Sequence, residues 1–147
     1  MSRRKGRILA FQAVYSWDVT QASLEDLLTF SWTKSDVDNT PEESNTMDPQ
    51  DSKVFASLII AGTIEHISEI DKLIEDHLSE NWSKDRINKV TLAILRTSIY
   101  ELVFVPEAQA GIVIDEAVNI AKEYGTDDSY KFINAVLDKI GKNGKAS

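Results

Sequence analysis

Cysteine is absent from this chain of 147 residues, and histidine, proline and glycine are scarce, with two, three and six copies. The lack of cysteine excludes disulfide bonds, thiolate metal sites and cysteine nucleophiles. So few prolines and glycines favour long helices with few tight turns. No apolar run approaches the roughly 18 residues that a membrane span needs, and the cationic start leads into an amphipathic stretch rather than a signal peptide. We therefore predict a cytoplasmic protein with no membrane contact, folded as a single domain over residues 1–147.

The sequence also lacks recognisable motifs for catalysis. His66 and His77 do not have a glutamate three residues before them, so they lack the Glu-x-x-His spacing of a helical metal site. No glycine-rich phosphate loop occurs. With 24 acidic residues in the chain, neighbouring carboxylates such as Asp115 and Glu116 are expected on any solvated face. We predict that the protein is not an enzyme and has no metal or cofactor.

Apolar residues recur at helical spacing along almost the whole chain, and no segment shows the alternation of a strand. The sequence therefore predicts an all-α fold. The predicted helices cover approximately residues 4–19, 24–30, 49–70, 71–78, 84–103, 112–124 and 128–140. Ser23, Asp48 and Ser83 are the predicted N-caps, and Gly125 is predicted to end the sixth of these helices as a left-handed C-terminal cap.

Residues 34–52 differ from the rest, because they hold six acids and almost no large apolar side chains. Such a segment buries too little surface to offset its ordering entropy, so we predict a mobile acidic loop. At its end, Pro49 suits the first position of a helix, where an N–H would be unpaired anyway. Val54 and Leu58 on that helix are predicted to lie in the core.

Four of the first seven residues are cationic, although the chain has a net charge of −8. They are Arg3, Arg4, Lys5 and Arg7, and on a helix Arg3 and Arg7 lie one turn apart. Guanidinium groups fit phosphate oxygens and also stack on bases, so this basic cluster is a candidate phosphate-binding site. From the segment alone, a solvated and frayed basic terminus is the simpler interpretation.

A second candidate segment opens the last predicted helix, with the sequence DSYKFIN at residues 128–134. Tyr130 and Asn134 are four residues apart and share a helix face. Aromatic stacking combined with an amide that reads base edges is a common way to hold single-stranded RNA. The simpler alternative is that Phe132 belongs to the core and Lys131 is solvated.

Five sequence blocks, in this order, resemble the NusB family of bacterial transcription antitermination factors. They are RRKGR…AFQAVYSW at 3–17, NWSKDRINK at 81–89, ILRTSIYEL at 94–102, IDEAVNIAKEYG at 114–125 and DDSYKFINAVLDKI at 127–140. The resemblance implies two small helical bundles packed into one compact domain. It also implies that the protein pairs with NusE, a small-subunit ribosomal protein. The pair would bind single-stranded boxA RNA of nascent transcripts, notably of ribosomal RNA operons, within an RNA polymerase antitermination complex.

The same resemblance implies roles for individual residues. The RNA-binding residues would be Arg3, Arg4, Lys5, Arg7, Asp128, Tyr130, Lys131, Phe132 and Asn134. The residues that contact NusE would be Tyr15, Val19 and Thr91. In the family an acidic–basic pair often stands where this chain has Thr91 and Leu92, so the chain departs from the pattern at its predicted partner surface.

Two other interpretations stay open at this point. The chain could be a protein-binding helical module, or a homodimer, with no specific RNA target; a titration with boxA-like RNA would separate these from the RNA-binding interpretation. It could also be an RNA-binding domain of the kind that precedes some ribosomal RNA methyltransferases. The sequence contains no glycine-rich cofactor-binding segment, which argues against an enzyme.

Overall fold

The computed structural model describes residues 2–29, 49–78, 87–126 and 128–142. Its helices are α1 (Ser2–Thr20), α2 (Leu24–Thr29), α3 (Pro49–Glu65), α4 (Ile67–Asp76), α5 (Lys89–Ile99), α6 (Ala110–Tyr124) and α7 (Ser129–Lys142). Helix α5 continues directly into a π-helical segment, Tyr100–Phe104. No strand occurs among these residues, which confirms the all-α class. Within the same ranges, no helix combines the length and the apolarity that a membrane crossing requires.

Two hydrophobic cores organise the helices. The smaller core joins α1, α2 and α3, whereas the larger core joins α1 with helices α4 to α7. Helix α1 lies in both, since Leu9 and Ala13 face the smaller core while Phe11 and Val14 face the larger one. Tyr100 of the π-helical segment packs against both cores. The two predicted bundles are therefore present, and α1 is shared between them.

Side-chain caps precede α2 and α5, but α5 begins later than predicted. The Ser23 hydroxyl accepts a hydrogen bond from the Asp26 N–H at 3.1 Å, as expected for a cap. The Asn88 side chain accepts from the Thr91 N–H at 2.8 Å, and the Asn88 backbone is extended. The predicted helix over residues 84 to 103 is wrong at Ile87 and Asn88, which are not helical, because α5 begins at Lys89; residues 84–86 lie outside the described residues. The predicted cap at Ser83 lies outside the described residues.

Three further predictions can be compared with the structure. Pro49 begins α3, as predicted, so residues 49–52 of the predicted loop are helical, and residues 30–48 lie outside the described part of the chain. Val54 and Leu58 are 59% and 52% exposed, so their assignment to the core was wrong: they lie on the face of α3 that points away from both cores. Gly125 has φ −92° and ψ −174°, an extended rather than a left-handed conformation, and its N–H donates to the Ala121 carbonyl at 2.8 Å.

Candidate nucleic-acid interface

Arg4 is the most accessible of the N-terminal arginines whose side chains the structure describes. Its side chain is 40% exposed, and its guanidinium lies 4.0 Å from a Glu116 oxygen and 3.6 Å from a Glu123 oxygen. Both distances exceed those of a good charge-assisted hydrogen bond. Exposed pairs of this kind contribute little stability, so Arg4 can exchange its carboxylate partners for a phosphate at low cost. The side chain of Arg3 lies outside the described part of the structure, and that of Lys5 is half-buried.

Arg7 has a different environment, because its guanidinium is held inside the fold. Its Nε and Nη2 atoms donate to the two carboxylate oxygens of Glu101 at 2.8 and 2.6 Å, and Nη1 lies 3.5 Å from Glu116. The guanidinium carbon also lies 5.5 Å from the centre of the Phe55 ring. Burial alone would lower the pKa of Arg7, but the hydrogen bonds and charges of Glu101 and Glu116 outweigh it and raise this pKa. The sequence predicted a phosphate contact here; the structure instead places Arg7 in an internal ion pair between α1 and the π-helical segment.

The start of α7 presents one aromatic ring close to two cations. Tyr130 packs partly against the larger core, and the ammonium groups of Lys122 and Lys131 lie 5.0 and 6.0 Å from the centre of its ring. Lys131 also pairs with the exposed Asp128 at 3.7 Å. Such a ring offers a surface for stacking, while two ammonium groups beside it can bind phosphates. Nothing in the sequence singles out Lys122, because only the fold brings the end of α6 next to Tyr130.

Phe132 and Asn134 occupy different environments on α7. Phe132 is half-buried against the larger core. One part of its ring therefore belongs to the core, and the other part is exposed. Asn134 is exposed, and its side chain makes no hydrogen bond to another described residue. Its amide is therefore available to an external ligand.

Helix α6 connects the two candidate clusters. Glu116 and Glu123 on α6 contact Arg4, and Lys122, next in sequence to Glu123, contacts Tyr130. The basic start of α1 and the aromatic start of α7 are thus neighbours of the same helix, although more than one hundred residues separate them in the chain. An extended polyanion that follows α6 would reach both.

The predicted partner residues lie around the contact between the end of α1 and the start of α5. Lys89 and Asp18 join these two helices by an ion pair of 3.3 Å. Val19 is 47% exposed and Tyr15 is half-buried against the larger core, so both present surface to a partner. Thr91 is only 4% exposed. The structure therefore brings the three residues to one region but does not present the Thr91 side chain, because Thr91 lies on the buried face of α5.

A buried network of charged side chains, which the sequence pattern does not indicate, lies next to the predicted partner residues. It consists of Arg96, Asp71 and Asp18. Arg96, 5% exposed, donates to both carboxylate oxygens of Asp71 at 2.9 Å and lies 3.5 Å from Asp18. The last contact is an ion pair without hydrogen-bond geometry, since the facing Arg96 and Asp18 atoms have no hydrogen-bond partner. The Trp17 ring lies 5.9 Å from the guanidinium. The network ties α1, α4 and α5 together beneath Tyr15 and Val19.

No group of three or more potential metal ligands occurs among the described residues. The two-core helical fold, with cations and an aromatic ring arranged along α6, defines an all-helical protein with a candidate nucleic-acid interface. Comparison with known proteins makes the assignment specific. The chain belongs to the NusB family, whose family model matches residues 4–142.

Individual relatives agree over almost the full length. The transcription antitermination protein NusB of Treponema denticola is 51% identical over 140 residues, covering 95% of this chain and 96% of the relative. The structure of T. maritima NusB has a TM-score of 0.77 at 34% identity, covering 99% of this chain and 93% of that one. A crystal structure of the antitermination factors NusB and NusE in complex with double-stranded RNA contains a chain with a TM-score of 0.77 at 32% identity, with 97% of each chain covered.

Proposed function

We propose that the protein is a transcription antitermination factor that binds single-stranded boxA RNA of nascent transcripts together with NusE, notably in ribosomal RNA operons. It would act as a non-catalytic adaptor within the antitermination complex of RNA polymerase. The observation that carries the proposal is the Tyr130 ring with Lys122 and Lys131 close to it, next to the helix that also contacts Arg4. Membership of the family and the solved complex of a relative with NusE and RNA support it.

The proposed mechanism separates positioning from recognition. Arg4, Lys122 and Lys131 bind phosphates, which fixes the RNA on the surface without reading its sequence. If these three cations each neutralise one phosphate, the affinity should fall with salt with a log–log slope of about −2. Arg3 and Lys5 are further proposed phosphate contacts. Arg7 positions the start of α1 through its two hydrogen bonds to Glu101, and no phosphate contact is proposed for it.

Recognition of the sequence falls to the start of α7. Tyr130 and the accessible part of Phe132 offer faces on which bases stack, and the free amide of Asn134 can bond to base edges. Asp128 holds the Lys131 ammonium near the Tyr130 ring. The proposed partner surface is built by Tyr15 and Val19, so NusE bound there would extend the RNA-binding surface and raise affinity for an RNA that touches both proteins.

Fluorescence anisotropy with boxA RNA and a scrambled sequence of equal length tests this division. We expect Arg4→Ala to weaken both RNAs by similar factors. Asn134→Ala and Tyr130→Ala should weaken boxA more than the scrambled RNA, by about 1–3 kcal/mol for each stacked or bonded base. Asp138→Ala, at an exposed position of α7 one turn beyond Asn134, serves as the control variant.

Two results would contradict the proposal. If the wild-type protein binds boxA and scrambled RNA with equal affinity, with and without NusE, the proposed recognition of the RNA sequence is wrong. Equal effects of the Arg4 and Asn134 substitutions on both RNAs would remove the separation between positioning and recognition.

A further inference from the structure

A cavity of about 520 Å³ opens beside Arg4, between the start of α1, the residues that follow the π-helical segment and the start of α6. Its volume falls within the range of small-molecule sites, roughly 300–1,000 Å³. We propose that this cavity holds one RNA base that carries an exocyclic amino group, as adenine, cytosine and guanine do and uracil does not. The inference rests on the proposed RNA binding and adds a specific subsite to it.

The walls of the cavity suit the flat faces of a base. Val105, Ala108 and Ile112 line it, and Ile112 is 51% exposed. A large apolar side chain with this exposure gains surface burial when a planar ring covers it. Ile112 can therefore pack against an inserted base.

Two polar side chains at the cavity have no hydrogen-bond partner among the described residues. Glu107 and Gln109 are exposed, and neither side chain forms a hydrogen bond or ion pair with another described residue. A carboxylate accepts hydrogen bonds from the amino group of cytosine, and a glutamine amide pairs with the amino-bearing edge of adenine. Uracil would place carbonyl oxygens opposite the Glu107 carboxylate, which is unfavourable.

Arg4 is the charged side chain of the cavity that suits a nucleotide. Arg7, Glu101 and Glu116 also line the cavity, and the guanidinium of Arg7 is paired with both carboxylates. Arg4 lies at the rim, more than a good hydrogen-bond length from Glu116 and Glu123, so it can bind the phosphate attached to the inserted base.

The test uses the full chain and three labelled RNA hexamers, of adenylate, cytidylate and uridylate, in fluorescence anisotropy titrations. We expect the wild-type protein to bind the adenylate and cytidylate hexamers more tightly than the uridylate hexamer. The double variant Glu107→Ala/Gln109→Ala should reduce this preference by at least about fivefold. The readout is the affinity for the adenylate or cytidylate hexamer divided by the affinity for the uridylate hexamer. This ratio is used because removing the negative charge of Glu107 strengthens the binding of all three RNAs by a similar factor.

Matched variants test the apolar wall. Ile112→Ser should weaken the adenylate and cytidylate hexamers by roughly fivefold or more. Leu58→Ser removes an apolar side chain of nearly equal exposure from α3 and should change nothing. Asp115→Ala is the corresponding acidic control on α6. Circular dichroism melts should show all these variants folded, since every substituted side chain is exposed.

The outcomes separate this inference from the function on which it rests. If Arg4→Ala weakens RNA binding while the cavity variants leave the ratio unchanged, the cavity is not a base site although the protein binds RNA. If the wild-type protein binds no single-stranded RNA, boxA included, both proposals are wrong. A reduced ratio in the double variant, with normal binding by the Leu58 and Asp115 controls, supports the base site.

Discussion

Replacing Arg7 with methionine should lower the stability of the protein far more than replacing Arg4 does. Arg7 and Glu101 form two hydrogen bonds of 2.8 and 2.6 Å, and their side chains are only 14% and 5% exposed. Removing one partner of such a pair leaves a buried charge without compensation, which costs about 3–5 kcal/mol. Because Arg7 keeps some exposure, we take about 3 kcal/mol, which lowers Tm by roughly 6–12 °C for a protein of this size.

Two further variants isolate the cause. Arg4→Met removes an equal charge from the same end of α1, but the contacts of Arg4 are long and its side chain is 40% exposed. It should cost less than about 1 kcal/mol. In Arg7→Met/Glu101→Met no buried charge is left, so this double variant should regain much of the lost stability. Urea denaturation gives the free energies of unfolding. The reasoning is refuted if Arg7→Met melts with the wild-type protein and weakens RNA binding as strongly as Arg4→Met.

Three other predictions follow from single contacts. Glu123→Gln frees Arg4 from one of its carboxylates, so affinity for boxA and for scrambled RNA should rise alike, by less than about tenfold; unchanged affinities in anisotropy titrations would contradict this. Asn88→Ala removes the cap of α5 and should cost about 1 kcal/mol in thermal melts, whereas Ser57→Ala on α3 serves as a control. Burial, with a smaller contribution from Glu65, raises the pKa of Tyr100 above its ordinary value of 10.0. The stabilising contribution of its protonated phenol is thus complete below pH 10 and is lost as the pH rises through the higher folded value. Tyr100→Phe should therefore reduce the loss of stability above pH 10, measured by urea denaturation.

Local signals predicted much of the helical fold. Apolar spacing defines the helices because one face of each is buried, and Ser23 and Pro49 act where their chemistry predicts. Spacing alone does not determine which face is buried, so Val54 and Leu58 were assigned to the core although they lie outside it. The true start of α5 depends on Asn88, which competes with the equally plausible cap Ser83 a few residues earlier.

The candidate site was less accessible to local reasoning. The four N-terminal cations are alike in sequence, yet Glu101, 94 residues from Arg7, separates the internal Arg7 from the accessible Arg4. Lys122 joins the Tyr130 ring only because α6 and α7 pack together. The free side chains of Glu107 and Gln109 carry no recognisable motif. Tertiary packing decided the cases of Arg7 and Lys122, and the spacing of residues in a single sequence does not encode it.

Helix α1 is made before α2 to α7, and its contribution to both cores has a consequence for the order of folding. Its partners Glu101 and Glu116 lie 94 and 109 residues from Arg7. During synthesis, α1 can pack against α3 early, while its second face stays exposed until α5 has been made. The arginines at the start of α1 reach their carboxylate partners only when α6 has also emerged, so a nascent chain that stops before α6 would carry the cations without their arrangement.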